Sequence, residues 1–146
     1  MDQSTVAETF KMIIAGDDIA APSKMLKGIS QANAAKKLPG FPYSILENLW
    51  HTVFWQEIWL DNILGRKPGT FFEDWQSPDP SEWKDLKQEF IDNQAIALEL
   101  CSAKPFKHKM KSKSKALRYL MNIAVHDAYH IGQINLMKRV TRASKS

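Results

Sequence analysis

The chain has 146 residues, 44% of them hydrophobic and 25% charged, which fits one folded domain over residues 1–146 and excludes a disordered polymer. A chain of this length buries a sufficient core without disulfides or a structural metal, so a metal site here would point to chemistry rather than to rescue of the fold. The net charge of +4 is modest and uneven: KPFKHKMKSKSKALR, Lys104 to Arg118, is dense in Lys and Arg and holds no acid, while the remainder is mildly acidic.

The N-terminal MDQSTVAETF lacks the basic start and apolar run of a secretory signal, and no apolar run approaches the roughly 20 residues of a membrane span. The single cysteine, Cys101, has no partner for an internal disulfide and suits a reducing compartment. A cytoplasmic protein without a membrane segment is therefore expected, with Cys101 a small, buried or half-buried hydrophobe.

From Thr5 to about Ala35, Val6, Phe10, Ile13 and Ile14 fall at helical spacing, Gly16-Asp17-Asp18 interrupts, and Ile19 to Ile29 resumes. The pattern predicts one kinked helix or two short ones. LPGFP, Leu38 to Pro42, ends helical structure. Ser44 followed by Glu47 is a capping-box pattern, and the helix it opens should run to about Leu64, with Gly65 closing it. Arg66 to Pro80 reads as a loop with some apolar anchors. Asp79 as N-cap and Pro80 in the first turn open another helix, carried by Trp83, Leu86, Phe90, Ile91 and Leu98 to about Cys101. The basic segment follows, and Lys115 to Arg142 forms the last helix. Long helices with loops between them predict an all-α fold, most simply a four-helix bundle.

In VHDAYHIGQI, His126 and His130 lie one helical turn apart and share a face with Tyr119, Asn122, Gln133 and Met137. Buried polar groups cost free energy unless they find partners, and two imidazoles at this spacing can share one cation. H-x₃-H alone is a weak signal. His51, in LWHTVFW, adds a third imidazole among aromatics at mid-helix, on a face with Glu47 and Trp55. Packed side by side, the two helices can bring the three together, and bundle cores are a known place for metal sites. His108, among lysines, reads as exposed and not a ligand.

The order of these motifs resembles the DinB/YfiT-like superfamily of helical proteins. LPGFPYSILENLWH is similar to that family's proline turn, Ser cap and helix ending in a first histidine, and HDAYHIGQINLMKR is similar to its last-helix signature. The resemblance covers most of the chain. It implies a four-helix bundle with a divalent metal held by His51, His126 and His130, a homodimer, and an activity among thiol-dependent transferases and isomerases that use low-molecular-weight thiols.

Three neutral imidazoles leave coordination positions open, as in catalytic rather than structural metal sites. All-nitrogen ligation suits Zn²⁺, Ni²⁺, Fe²⁺ or Cu²⁺ and chooses poorly among them. Glu47, one turn before His51, is a candidate to orient a ligand or move protons, although the capping box is the simpler account. Gln133 and Asn122 can hydrogen-bond ligands or substrate, and Trp55 and Tyr129 can wall a pocket. Asp127, off the histidine stripe, reads as a surface or salt-bridge residue. The expected function is metal-dependent thiol transfer or hydrolysis on a small molecule, with the basic segment available to hold a thiol cofactor's carboxylates. A non-catalytic metal-binding stress-response protein is the alternative. Nucleic-acid binding through Lys104 to Arg118 ranks last, because only Phe106 is interleaved there for stacking and no DNA-binding motif accompanies it.

Overall fold

The computed structural model describes residues 1–67 and 73–144, and within them it is all-helical. The helices are α1 (Gln3–Ala15), α2 (Pro22–Leu26), α3 (Gln31–Ala35), α4 (Ile45–Leu64), α5 (Trp83–Ser102) and α6 (Lys113–Ala143), with a 3₁₀ turn at Pro80–Glu82 before α5. The four long helices pack on one another: α4 against α5 and α6, and α1 against α5 and α6. The chain ahead of Leu38 forms three helices, not the one or two expected. Gly16 makes the first break. It adopts φ +80° and returns its N–H to Met12 O at 3.0 Å. A Cβ there would lie 2.4 Å from Ala21 N, so the chain turns back too tightly for any other residue.

Side-chain caps set several of the remaining boundaries. Ser44 Oγ accepts from Glu47 N at 3.1 Å, and Glu47 Oε2 accepts from Ser44 N at 2.6 Å, which is the predicted capping box at the start of α4. Asp79 accepts from Ser81 N at 2.8 Å and opens the turn into α5. Ser112 caps α6 by accepting from Lys115 N at 3.2 Å, so α6 starts two residues before the expected Lys115.

The core has two halves. Leu46, Leu49, Val53, Phe90, Ile131 and Ile134 belong to one, packed with the short helices. Phe10, Leu60, Ile63, Ala97, Leu120 and Ile123 belong to the other, packed with α1. Each large buried side chain contributes roughly 1.5–3 kcal/mol. Between the halves α4 presents Gln56, α5 presents Asn93 and Gln94, and α6 presents Asp127, all buried. Asp127 is therefore not the surface residue expected from its place off the histidine stripe. It has no exposed area, and its Oδ2 accepts from Gln56 Nε2 at 2.8 Å and Gln94 Nε2 at 3.1 Å. An arc of α6 wider than one stripe is enclosed by α4 and α5, and Asp127 lies within that arc.

No helix among the described residues is long and apolar enough to cross a membrane. Cys101 is buried, as expected, and burial pushes its thiol up to about 11, so it is no nucleophile near neutral pH. His108 is half-buried rather than exposed, with its ring 5.1 Å from that of Phe106.

Candidate metal centre

The helices α4 and α6 run antiparallel. Asn48 meets Met137 near one end of their contact (Nδ2 to Sδ 3.6 Å), and Gln56 meets Asp127 further along. His51 lies between those levels on α4 and faces His126 and His130 on α6. His51 Nε2 is 3.1 Å from His126 Nε2, and His130 Nε2 is also 3.1 Å from His126 Nε2. Among the described residues, His51, His126 and His130 form a group whose nitrogens all lie close enough to hold one metal ion. The convergence expected from the sequence is thus present.

Neighbouring groups set the proton positions. His51 Nδ1 lies 2.9 Å from Asp74 O and 3.1 Å from Asp74 Oδ1, both acceptors, so Nδ1 carries a proton and the neutral ring has its lone pair on Nε2. His130 Nδ1 donates to Gln133 Oε1 at 2.7 Å, which leaves its Nε2 a lone pair too. Burial, with His130 and His51 adjacent, lowers His126 to about 3; burial, with His51 adjacent, lowers His130 to about 4. Both rings are neutral near pH 7.

No arrangement of protons satisfies this cluster by itself. With its proton on Nδ1, His126 has a buried donor without a partner among the described residues, and three lone pairs face one another. With the proton on Nε2, it can serve only one of its two neighbours. A cation in the centre accepts all three lone pairs at once. Metal–nitrogen bonds of about 2.0–2.1 Å put tetrahedral donors roughly 3.4 Å apart, close to the spacing seen. The residues present therefore fit a divalent transition metal.

The surroundings are aromatic. Trp75 stacks on His51 at 3.9 Å between centroids and on Tyr43 at 3.7 Å. Trp59 meets His126 edge-on at 5.4 Å, and Tyr129 meets His130 edge-on at 5.0 Å. A cavity of about 290 Å³ opens beside His130, and Tyr43, Trp75, Tyr129 and Gln133 are among its walls.

The other residues singled out in the sequence divide. Gln133 touches a histidine directly, and Tyr129, though mostly exposed, walls the cavity. Trp55 does not face that cavity; its Nε1 donates to Asp74 Oδ1 at 2.5 Å and so steadies the residue that holds His51. Asn122 is half-buried one turn before His126 and makes no hydrogen bond to the three histidines among the described residues. Glu47 is turned to other work. Its carboxylate takes Lys37, Ser77 and the Ser44 N–H, which outweigh the opposing effect of burial and bring it down to about 2. Asp74 and Trp75 were not foreseen. They lie in the loop after α4, part of which falls outside the described residues, and the sequence marks them only as an acid and an aromatic in EDW.

The model of the DinB superfamily matches residues 20–134, which include all three histidines. The chain belongs to the DinB superfamily. No curated protein and no solved structure matches it. Membership agrees with the motif order from LPGFPYSILENLWH to HDAYHIGQINLMKR and with an all-helical architecture.

Proposed function

We propose that this DinB-superfamily chain is a metal-dependent enzyme acting on a small molecule, by transfer of a low-molecular-weight thiol or by hydrolysis. The observation that carries the reading is the meeting of the Nε2 atoms of His51, His126 and His130, two of them held with lone pairs inward by acceptors at Nδ1. A divalent ion such as Zn²⁺, Ni²⁺ or Fe²⁺, when bound there, supplies a Lewis acid that lowers the pKa of a water or thiol beside it.

The chain's own residues prepare that chemistry. Asp74 and Gln133 hold two rings in one tautomer and one orientation. Trp75 covers a face of His51 and keeps water from that side. The cavity beside His130 admits a substrate next to the ligand atoms. Cys101, buried with a raised pKa, is unsuited to serve as the thiol, so a thiol-transfer reaction takes its sulfur from a free thiol in solution. A homodimer is part of the same reading, and Val125 leaves apolar surface on α6 outside the cavity for it.

The test is the metal content of untagged protein by elemental mass spectrometry, beside His126→Ala, followed by turnover assays with and without added thiol. Near one transition-metal ion per chain, lost in the variant, together with turnover supports the reading, and dependence on thiol chooses transfer over hydrolysis. Bound metal with no turnover favours the non-catalytic stress-response alternative. A wild type that takes up no Zn²⁺, Ni²⁺ or Fe²⁺ overturns both.

A further inference from the structure

The cavity beside His130 has a composition that constrains what enters it. Its apolar and aromatic walls include Phe41, Tyr43, Trp75, Tyr129, Leu136 and Met137. Among the described residues, no Lys, Arg, Asp or Glu lines it. At about 290 Å³ it lies at the small end of ligand pockets, which run from about 300 to 1,000 Å³.

The cavity also runs away from the chain's strongest positive charge. From His130 it follows α6 toward Met137, and on the facing side it reaches Asn48 and the turn at Phe41–Tyr43. The basic segment is anchored at the opposite end of α4, where Lys109 N donates to Ile63 O at 2.8 Å. His51 and Ile63 are separated by roughly 18 Å along the helix axis at 1.5 Å per residue. Lysines of that segment therefore do not reach a ligand in this cavity, so the use suggested for them from the sequence does not apply here.

Besides His130 and the tyrosines, the polar side chains that line the cavity are the neutral amides of Asn48 and Gln133. Gln133 spends Oε1 on His130, which leaves its N–H donors for a ligand. Asn48 spends its N–H donors on Ser44 O at 3.0 Å and Met137 Sδ at 3.6 Å, which leaves Oδ1 as an acceptor. An ionised ligand group gains at most hydrogen bonds and no countercharge from such a lining, whereas a neutral group that both donates and accepts is matched.

We infer that this cavity is the binding site for an uncharged, flat or apolar substrate body bearing an amide-like polar group. Its reactive end lies toward His130. This deepens the proposed function and rests on it for the word substrate; the selectivity itself follows from the lining alone. Where the chemistry is thiol transfer, the molecule held here is the electrophilic partner, and an acidic thiol approaches from another side of the histidines.

The test uses 2-naphthamide and 2-naphthoate, matched in shape and different in charge. Each is titrated by calorimetry into the full-length chain freed of metal by a chelator, so that the carboxylate has no ion to bind. The amide should bind about tenfold or more tightly than the carboxylate, the expected effect of an unmatched charge among apolar walls. Leu136 is 54% exposed, so Leu136→Arg places a cation at the rim without disturbing the core and should reverse the preference. Equal or tighter binding of naphthoate by the wild type, binding of neither probe, or an unchanged preference in Leu136→Arg overturns the inference. Metal uptake is measured on the same preparation. Amide preference in a chain that takes no metal sinks the proposed function and leaves the neutral site standing, while metal uptake without amide preference does the reverse.

Discussion

Replacing Glu47 by Gln separates two roles that a carboxylate one turn before a histidine can play. The structure has Glu47 bound to Lys37, Ser77 and the Ser44 N–H, with the pKa down to about 2 from an ordinary 4.5. At about 1.36 kcal/mol per unit, that shift corresponds to roughly 3 kcal/mol of stability. Lys37 is exposed, so screening trims its share, and about 2–3 kcal/mol is the working figure. Because the folded pKa is depressed, this stability is present in full above the unfolded pKa of about 4.3 and is lost as pH falls toward 2. Gln keeps an acceptor for the Ser44 N–H but carries no charge for Lys37. Urea titrations followed by tryptophan fluorescence should therefore show Glu47→Gln less stable than wild type by about 2–3 kcal/mol near pH 7, with the gap closing as pH falls through about 4 to about 2. Metal content should be unchanged. A variant as stable as wild type at every pH, but stripped of metal or turnover, would refute this account and return Glu47 to the chemistry.

Other expectations are as direct. Gln133→Met removes the acceptor that orients His130 and should weaken metal binding about 10–100-fold, read by competition with a chromogenic chelator, with little change in melting temperature. Gly65→Ala puts a Cβ where φ is +69° and 2.7 Å from Lys109 Cβ, so a loss of about 1–2 kcal/mol is expected in denaturant titrations. Asp127→Asn tests the buried layer. Burial raises the Asp127 carboxyl to about 8 against the hydrogen bonds from Gln56 and Gln94, so its contribution is complete below the unfolded pKa of about 3.9 and is lost as pH rises through about 8. Asn has no such dependence, and the variant should gain on wild type as pH climbs across that window, by denaturation midpoint; parallel curves would contradict a protonated Asp127.

How far the sequence carried depends on the range of each signal. The boundaries of α4 were legible because they rest on local chemistry: Ser44 and Glu47 cap each other across three residues, and Gly65 closes the helix. The histidines were legible for a different reason, since their spacing on α6 and the motif order shared with a family place them before any packing is known. Asp127 was misread because a helical wheel gives one face and not the width of the arc that neighbours enclose; α5 closes over it with Gln94, from distant sequence. Asp74 and Trp75 were missed because a loop carries no periodicity. Their position depends on the contacts of Asp74 with His51 and Trp55 and of Trp75 with Tyr43, all between residues far apart in the chain.

The buried polar layer explains why the histidines meet where they do. On α4 the order is Val53, Gln56, Leu60, on α5 Phe90, Asn93 and Gln94, Ala97, and on α6 Ile131, Asp127, Ala124, so one polar level divides the two apolar halves on three helices. Apolar side chains tolerate sliding, since one leucine replaces another at similar energy. Hydrogen-bonded amides do not, because a one-turn slip of about 5.4 Å leaves Asp127 and its partners buried and unpaired, at roughly 1–3 kcal/mol each. The same slip would carry His126 and His130 past His51. Gln56 lies five residues beyond His51, and Asp127 adjoins His126, so the layer that fixes the register of α4 against α6 sits within two turns of the site that needs it. The energetic cost of polar groups in the core is thus tied to the geometry of the three nitrogens, and a bundle of equal stability with an all-apolar layer would lack that restraint on the site.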